Sequence, residues 1–345
     1  GDWQTPVCEE HFSLPAITNF RGMVQANWDI AGVQNWICAP TGMNTPTCLL
    51  NYRDGDRIRR FPRAGVQYRW RAYEIERRGH GVHTALRLPP SENAFMLRLK
   101  FDRPLQVFVV VTGLPRVWRF TDYWNLPPED VPQFNVSTHR DGGGFVLTDS
   151  KTFGSARFAL PGNCRVYSDL QAWLDGAEPC ERGKIGVAEI HASAGDEAMI
   201  SATLGYESEL PLVQNIEKTW LAAQTEWERV WRAAFTPGNT DFTGHLPHFD
   251  GELARLYYMS VLSLLMTRRI IPKPEPRSEI ATGGQCIWSE PKRPLDRAYV
   301  WGGPEGDLFG RAARRFEKMG VGALLINCLP IEYLPGMLPW LRDFT

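Results

Sequence analysis

Short segments in which apolar and polar positions alternate dominate the N-terminal part of the chain. An alternation with a period of two residues indicates strands with one buried face. It is clearest over 94–101, 106–111, 155–160 and 197–204. Turn residues separate the segments, as in Asp54-Gly55-Asp56 and Asp141-Gly142-Gly143-Gly144. The evenly spaced short strands from about Trp28 to Glu207 therefore predict a β-sandwich, and the triple-glycine turn predicts a hairpin or loop and not a phosphate-binding loop.

The hydrophobic period changes at Leu210, and the chain after it predicts helices. Neither Gly nor Pro interrupts residues 213–235, and Trp220, Trp227 and Trp231 fall seven and four residues apart. This spacing places the three indoles on one face of a helix, which we expect to dock on the sandwich or on the next domain. A second long helix is predicted from about 249 to 269, because its apolar residues recur every three to four positions.

A Pro-rich and Gly-rich stretch from Pro272 to Gly306 follows the second helix. It crosses more than thirty residues without strong periodicity, which is long for a simple connection and typical of a loop that builds a site. Helical patterns return at about 307–319, 321–327 and 335–343. The boundary between the two parts of the chain is therefore compositional, with strands before Leu210 and helices after it.

The length, net charge and Trp content of the chain indicate which partners to expect. A chain of 345 residues exceeds what one hydrophobic core usually organises. The net charge is −1, so no overall field would draw the chain to a polyanion, and we expect neither nucleic acid nor membrane as a partner. Thirteen Trp residues exceed what packing generally needs, and their flat apolar faces suit sugar rings as well as cores and domain interfaces.

The cysteines do not have the spacing of a metal site. Seven are present, widely separated and without a CxxC pair, so zinc is not expected. An odd number leaves at least one thiol free and fits a reducing, cytoplasmic compartment better than an oxidising one, although Cys38 with Cys48 or Cys164 with Cys180 could close a short loop. Because no nucleotide-binding or metalloprotease motif occurs either, we expect no cofactor. The absence of an eighteen-residue apolar run and of a basic, apolar leader predicts neither a membrane span nor a signal peptide.

One stretch of the chain has the sequence order of a known junction between domains. The stretch runs from Trp227, Trp231 and Phe235 through Pro237-Gly238-Asn239 and 242–247 to Leu253-Ala254-Arg255-Leu256-Tyr257 and on to Leu265. It resembles the junction of the six-hairpin glycosidases, a superfamily that includes glucoamylase-like, trehalase-like and glycoside hydrolase family 63 enzymes. The resemblance implies an N-terminal β supersandwich at 1–209, a linker helix and loop at 210–245, and the first hairpins of an incomplete (α/α)6 barrel at 246–345.

The resemblance also implies an activity, which is glycoside hydrolysis of a glucoside or oligosaccharide by a pair of carboxyl groups. In these families both carboxylates usually lie on later hairpins, so we expect the catalytic pair beyond residue 345 and assign no catalytic residue here. The segment alone is then expected to be inactive, and to associate through exposed apolar helix faces. A phosphorylase or transferase on the same fold, or a non-catalytic carbohydrate-binding or structural protein, remain alternatives.

Three residues are candidates for binding the carbohydrate substrate. In the resembled enzymes a Gly-rich turn with aromatic and Asp residues lies at the sugar-binding end, and the nearest equivalents here are Tyr299, Trp301 and Asp307. Trp301 could stack on a sugar face or anchor the loop in a core. Asp307 could accept hydrogen bonds from sugar hydroxyls, although capping the helix that begins there is its more ordinary role.

Overall fold

The computed structural model describes residues 3–5, 15–38, 41–43, 46–90, 92–117, 136–150, 154–205, 210–235 and 251–267. The strands within these ranges are β1 (Ala16–Thr18), β2 (Met23–Ala26), β3 (Val33–Cys38), β4 (Thr41–Met43), β5 (Leu49–Asp54), β6 (Arg57–Arg60), β7 (Gln67–Arg71), β8 (Glu74–Gly79), β9 (Val82–Arg87), β10 (Ala94–Phe101), β11 (Leu105–Val111), β12 (Arg116–Val117), β13 (Val136–Asp141), β14 (Gly144–Asp149), β15 (Ser155–Ala159), β16 (Asn163–Tyr167), β17 (Arg182–Gly183), β18 (Ile185–Ala192) and β19 (Glu197–Gly205). The helices are α1 (Leu170–Leu174), α2 (Ile216–Phe235) and α3 (Gly251–Thr267).

The strands form three antiparallel sheets. The long sheet has nine strands in the order β17-β13-β14-β15-β19-β10-β9-β8-β7. The N-terminal sheet has the order β1-β2-β3-β4-β12, and the third sheet has the order β16-β18-β11-β5-β6. Antiparallel pairing lets one face of a sheet be apolar while the other meets solvent or helices, and the alternating residues of β9 and β10 follow this rule.

The main core lies between the long sheet and the other two sheets. Trp36 of the N-terminal sheet is fully buried and meets Phe95 of the long sheet with 4.7 Å between ring centroids. Gly186 of the third sheet lies so close to Phe145 of the long sheet that a Cβ would approach its ring to 2.6 Å. Residues of all three sheets belong to one buried cluster. The N-terminal part of the chain is therefore sandwich-like, as predicted.

A smaller core covers the outer face of the third sheet. Helix α1 begins at the N-cap Asp169, whose carboxylate accepts a hydrogen bond from the backbone of Ala172 at 2.9 Å. The helix places Trp173 on Phe108, with 5.6 Å between ring centroids. The third sheet is thus buried against the long sheet on one side and partly under α1 on the other. The sequence pattern did not predict α1, because one helical turn is too short to establish a period.

The elements with the clearest periodicity are confirmed. The four alternating segments are found at β10, β11, β15 and β19, and the two predicted helices are found as α2 and α3. Gly55 and Gly142 adopt positive φ in the predicted turns, which glycine does without steric cost. Within the described ranges no helix is both long enough and apolar enough to cross a membrane.

The cysteine pairings considered from the sequence are not formed. Cys48, Cys164 and Cys180 are free thiols, so the Cys38–Cys48 and Cys164–Cys180 loops are wrong. Cys164 is buried in the main core, whereas Cys180 is exposed beyond β16. The two side chains therefore lie in different surroundings, although Cys180 forms a β-bridge with Val166 of β16.

Candidate functional site

The residues proposed to bind substrate from the sequence lie outside the described residues. This applies to Tyr299, Trp301 and Asp307, and the catalytic pair was expected beyond the chain. Within the described ranges, no group of three or more His, Cys, Asp and Glu side chains is placed to hold a metal ion. The feature that the structure does describe is the junction where α2 meets the outer face of the long sheet and α3 packs on the end of α2.

Trp220 of α2 lies between two arginines of the long sheet. The guanidinium carbons of Arg87 on β9 and Arg98 on β10 are each 4.5 Å from its ring centroid. Arg87 Nη1 also donates to the Trp220 carbonyl oxygen at 2.8 Å, and Arg98 Nη2 pairs with Glu217 Oε2 at 2.6 Å. Cation–π contacts strengthen when the cation is desolvated, and the Arg87 side chain is buried. The first turns of α2 are therefore fixed to the sheet by charge and stacking.

An ion-pair network on the outer face of the long sheet holds Arg87 in place. Arg87 Nε bonds Glu74 Oε2 at 2.7 Å, and Arg71 Nη1 bonds Glu74 Oε1 at 2.8 Å and Glu76 Oε2 at 3.2 Å. Arg69 closes the network with two bonds to Glu76 at 2.5 and 2.6 Å. The pairs form because Arg71 lies opposite Glu74 in the register and Arg69 lies opposite Glu76. Both carboxylates are paired with guanidinium groups, and Glu74 holds Arg87, the residue that contacts α2.

Trp227 fixes the second half of α2 to the turn between β1 and β2. Its Nε1 donates to the Thr18 carbonyl oxygen at 2.7 Å, and its ring centroid lies 4.7 Å from that of Phe20. Phe20 adopts a φ of 68°, which is unusual for a bulky side chain and costs on the order of 1–3 kcal/mol. Thr18 Oγ1 accepts from the Phe20 amide at 3.0 Å, and Asn19 Oδ1 accepts from the Gly22 amide at 2.9 Å. The turn is thus held in a strained conformation that presents Phe20 to α2.

Helix α3 packs on the far end of α2. Leu262 and Leu265 of α3 are packed against the cluster of Phe20, Trp227 and Val230. Trp231 and Tyr258 also meet, with 6.2 Å between ring centroids. The predicted Trp face of α2 therefore has two neighbours: Trp220 and Trp227 are buried on the sandwich side, and Trp231 contacts Tyr258 of α3.

A buried arginine stabilises the loop of residues 27–32 inside the sandwich. Arg77 on β8 is fully buried, and its guanidinium donates to the carbonyl oxygens of residues 27, 29, 31 and 32 at 2.8 to 3.3 Å. Burial lowers the pKa of Arg77 below its ordinary value, and the nearby Asp29 carboxylate opposes that shift. Asp29 in turn accepts from the amides of Ala31 and Gly32 and pairs with Arg60 at 2.7 Å. Residues 27–32 are therefore held by one cation.

Strand alternation alone does not predict that Arg87 and Arg98 bind a helix. Arg87 and Arg98 occupy outward positions of strands that are otherwise apolar on the inward side. A solvent-facing arginine is the ordinary expectation at such a position. Only the spacing of Trp220 and Trp227, seven residues apart on a helix, indicated an aromatic helix face that docks on the sandwich or on the next domain. Arg77 gave no signal, because it stands at an inward position where an apolar residue is expected.

Comparisons with known proteins find no family model and no curated relative that matches this chain. Among solved structures, a family GH92 α-mannosidase from Bacteroides thetaiotaomicron is 7% identical over 63% of this chain and 35% of its own, with a TM-score of 0.38. An inverting GH92 mannosidase from the same organism is 11% identical over 63% of this chain and 33% of its own, with a TM-score of 0.35. A protein described as a kojibiose phosphorylase from the human microbiome is 10% identical over 65% of this chain and 33% of its own, with a TM-score of 0.25. The matched region spans about a third of each of these proteins, and similarities of this strength do not assign the chain to a family.

Proposed function

We propose that this chain is the N-terminal part of a glycoside hydrolase acting on a glucoside or an oligosaccharide. The observation that supports it is the order of the elements: a sandwich, a helix docked on its outer face by Trp220 and Trp227, and a second helix packed on the end of the first. This is the order that residues 227–265 led us to expect from the six-hairpin glycosidases. The division into 1–209, 210–245 and 246–345 is part of the proposal.

In this proposal the sandwich and α2 act as a rigid support for the helical part. The chemistry is paired-carboxylate hydrolysis, with carboxyl groups about 6.5–9.5 Å apart for inversion and closer for retention. We place that pair on helices beyond residue 345. Tyr299 and Trp301 would stack on the sugar, and Asp307 would accept hydrogen bonds from its hydroxyl groups.

The test is turnover by the natural protein that contains this chain. The protein is incubated with a panel of α- and β-linked oligosaccharides, with and without inorganic phosphate, and the sugars released are identified by mass spectrometry. Release of free sugar that does not need phosphate supports hydrolysis. Release of a sugar phosphate only when phosphate is added would make the protein a phosphorylase. Binding without any turnover would move the assignment to a non-catalytic carbohydrate-binding protein.

A further inference from the structure

A short segment, residues 3–5, lies along the edge of the long sheet and is called the edge segment below. Strand β7 is the last strand of that sheet. Gln4 and Tyr68 form an antiparallel bridge, in which the amide of each residue donates to the carbonyl oxygen of the other at 2.8 Å. One residue pair gives little compensation for the conformational entropy that is lost when a segment becomes ordered. The edge segment therefore depends on side-chain contacts for its position.

Trp3 makes those side-chain contacts. Its ring centroid lies 4.2 Å from the guanidinium carbon of Arg78 on β8 and 4.7 Å from that of Arg69 on β7. Trp220 of α2 is contacted in the same way by its own two arginines on β9 and β10. Two tryptophans from distant parts of the chain are thus each bound by a pair of arginines of the long sheet.

The ion-pair network of the long sheet connects these two tryptophans. Arg69 bonds Glu76, and Arg71 bonds both Glu76 at 3.2 Å and Glu74 at 2.8 Å. Glu74 also bonds Arg87 at 2.7 Å, and Arg87 contacts Trp220. Each carboxylate is therefore shared by two arginines. A change in one pair alters the pairing of the next, and side chains that share partners in this way are expected to be energetically coupled.

We propose that the attachment of the edge segment and the docking of α2 are coupled through this network, so that release of the edge segment loosens α2. Without Trp3, Arg69 loses its stacking partner and pairs less closely with Glu76. Glu76 then draws Arg71 away from Glu74.

The last step of the coupling is at Arg87, which has two partners. Its Nε bonds Glu74, whereas its Nη1 donates to the Trp220 carbonyl oxygen at 2.8 Å. When Glu74 loses Arg71, it attracts Arg87 more strongly, and the bond to the Trp220 carbonyl weakens. The side chains of Arg87 and Glu74 are 8% and 5% exposed, so water screens this step little. The coupling goes beyond the proposed function and does not depend on it.

Hydrogen exchange in the full chain tests the coupling. Trp3→Ala should increase amide exchange at least about threefold in peptides that span 216–225, the N-terminal half of α2. The matched control is Arg53→Ala, which removes a cation–π contact of 5.4 Å with Phe108 in the third sheet. This control should leave exchange in 216–225 unchanged, because neither residue belongs to the network.

A second substitution tests whether the network carries the effect. Glu76→Gln removes the carboxylate that Arg69 and Arg71 share. In a Glu76→Gln protein, Trp3→Ala should cause no further increase in exchange over 216–225.

Four results would overturn the proposal. The first is unchanged α2 exchange in Trp3→Ala, and the second is an increase that persists in the Glu76→Gln protein. The third is an equal increase in β18 of the third sheet, which would mean that Trp3→Ala lowers the stability of the whole sandwich. The fourth is an increase over 216–225 as large in Arg53→Ala as in Trp3→Ala.

Discussion

Arg77 shows how one buried side chain can fix the conformation of a whole loop. Its guanidinium is the shared donor for four carbonyl oxygens of residues 27–32, a geometry that the planar, multi-donor group of arginine can reach and a lysine ammonium cannot. Asp29 beside it is also buried and depends on Arg77 and Arg60 for compensation. The Arg77 guanidinium and the Asp29 carboxylate are therefore both removed from water. Removing either one is expected to lower the free energy of unfolding.

Replacing Arg77 with leucine is expected to lower the free energy of unfolding by about 3–5 kcal/mol, since it leaves four buried carbonyl oxygens without their donor and removes one of the two cations beside the buried Asp29 carboxylate. Arg77→Lys should recover only part of that loss. Equilibrium denaturation in urea measures the change. Arg78→Leu on the outer side of the same strand is the control, and a cost at Arg77 no greater than at Arg78 would show that the buried guanidinium does not stabilise the loop.

Trp227 combines a packing contact with a hydrogen bond, and the two can be separated. Trp227→Phe keeps an aromatic ring against Phe20 but removes the Nε1 donor from the Thr18 carbonyl. We expect it to cost about 1–3 kcal/mol because a buried acceptor is left unpaired. Trp227→Ala should cost about 3–5 kcal/mol because it also leaves a cavity. Thermal and urea unfolding give the ranking, and a phenylalanine variant as stable as the wild type would mean that the hydrogen bond contributes nothing.

The described thiols differ in reactivity for a physical reason. Burial raises the pKa of Cys48 to about 12, and burial also raises the pKa of Cys164, so both remain protonated and inaccessible near neutral pH. Cys180 is exposed. Iodoacetamide at pH 8 is expected to label Cys180 in the native protein and to label Cys48 and Cys164 only after denaturation, as read by peptide mass spectrometry. Native labelling of Cys48 at the rate of Cys180 would contradict the buried position of its thiol.

At the level of elements, α2 is the piece that joins the strand-rich and helical parts of the chain. Two kinds of contact hold its N-terminal half, and they are expected to differ in strength. The Arg87–Glu74 pair is buried, with 8% and 5% of the side chains exposed, whereas Glu217 in the Arg98–Glu217 pair is 72% exposed. Exposed pairs contribute little because water and salt screen them.

We therefore expect Arg87→Met to lower the free energy of unfolding by about 2–5 kcal/mol, since it leaves the buried Glu74 without a partner that reaches α2. Glu217→Gln should cost no more than about 1 kcal/mol, and less in high salt. Urea denaturation at low and high ionic strength measures both. Equal effects of the two substitutions would mean that the Arg87 side of the junction is not the stronger one.

The sequence was sufficient for elements with a sustained period and insufficient for contacts between distant parts. Helix α2 and strands β10 and β19 were predicted because their patterns extend over eight or more residues. Helix α1 was missed because five residues establish no period. The docking partners Arg87 and Arg98 precede Trp220 by more than a hundred residues, and no local pattern reports such a pairing. The candidate binding residues Tyr299, Trp301 and Asp307 remain predictions from resemblance.

At the level of the whole molecule, the described part is a sandwich with helices added to its outer surfaces. The long sheet provides the inner face for the main core and the outer face for α2, so both of its faces are structurally occupied along β9 and β10. Helix α3 packs on α2 through Leu262 and Leu265, and its Leu253 and Leu256 are exposed. In the proposed function, this body would hold a larger helical part in position.

Equilibrium binding of sugar by the natural protein tests the functional proposal most directly. Calorimetric titration with the oligosaccharides of the panel should detect binding in the wild type. Trp301→Ala should weaken it at least tenfold, because a stacking face is lost, while His83→Ala on the exposed side of β9 should leave it unchanged. No binding of any oligosaccharide by the folded wild-type protein would contradict the carbohydrate assignment, and binding that survives Trp301→Ala unchanged would contradict the proposed site.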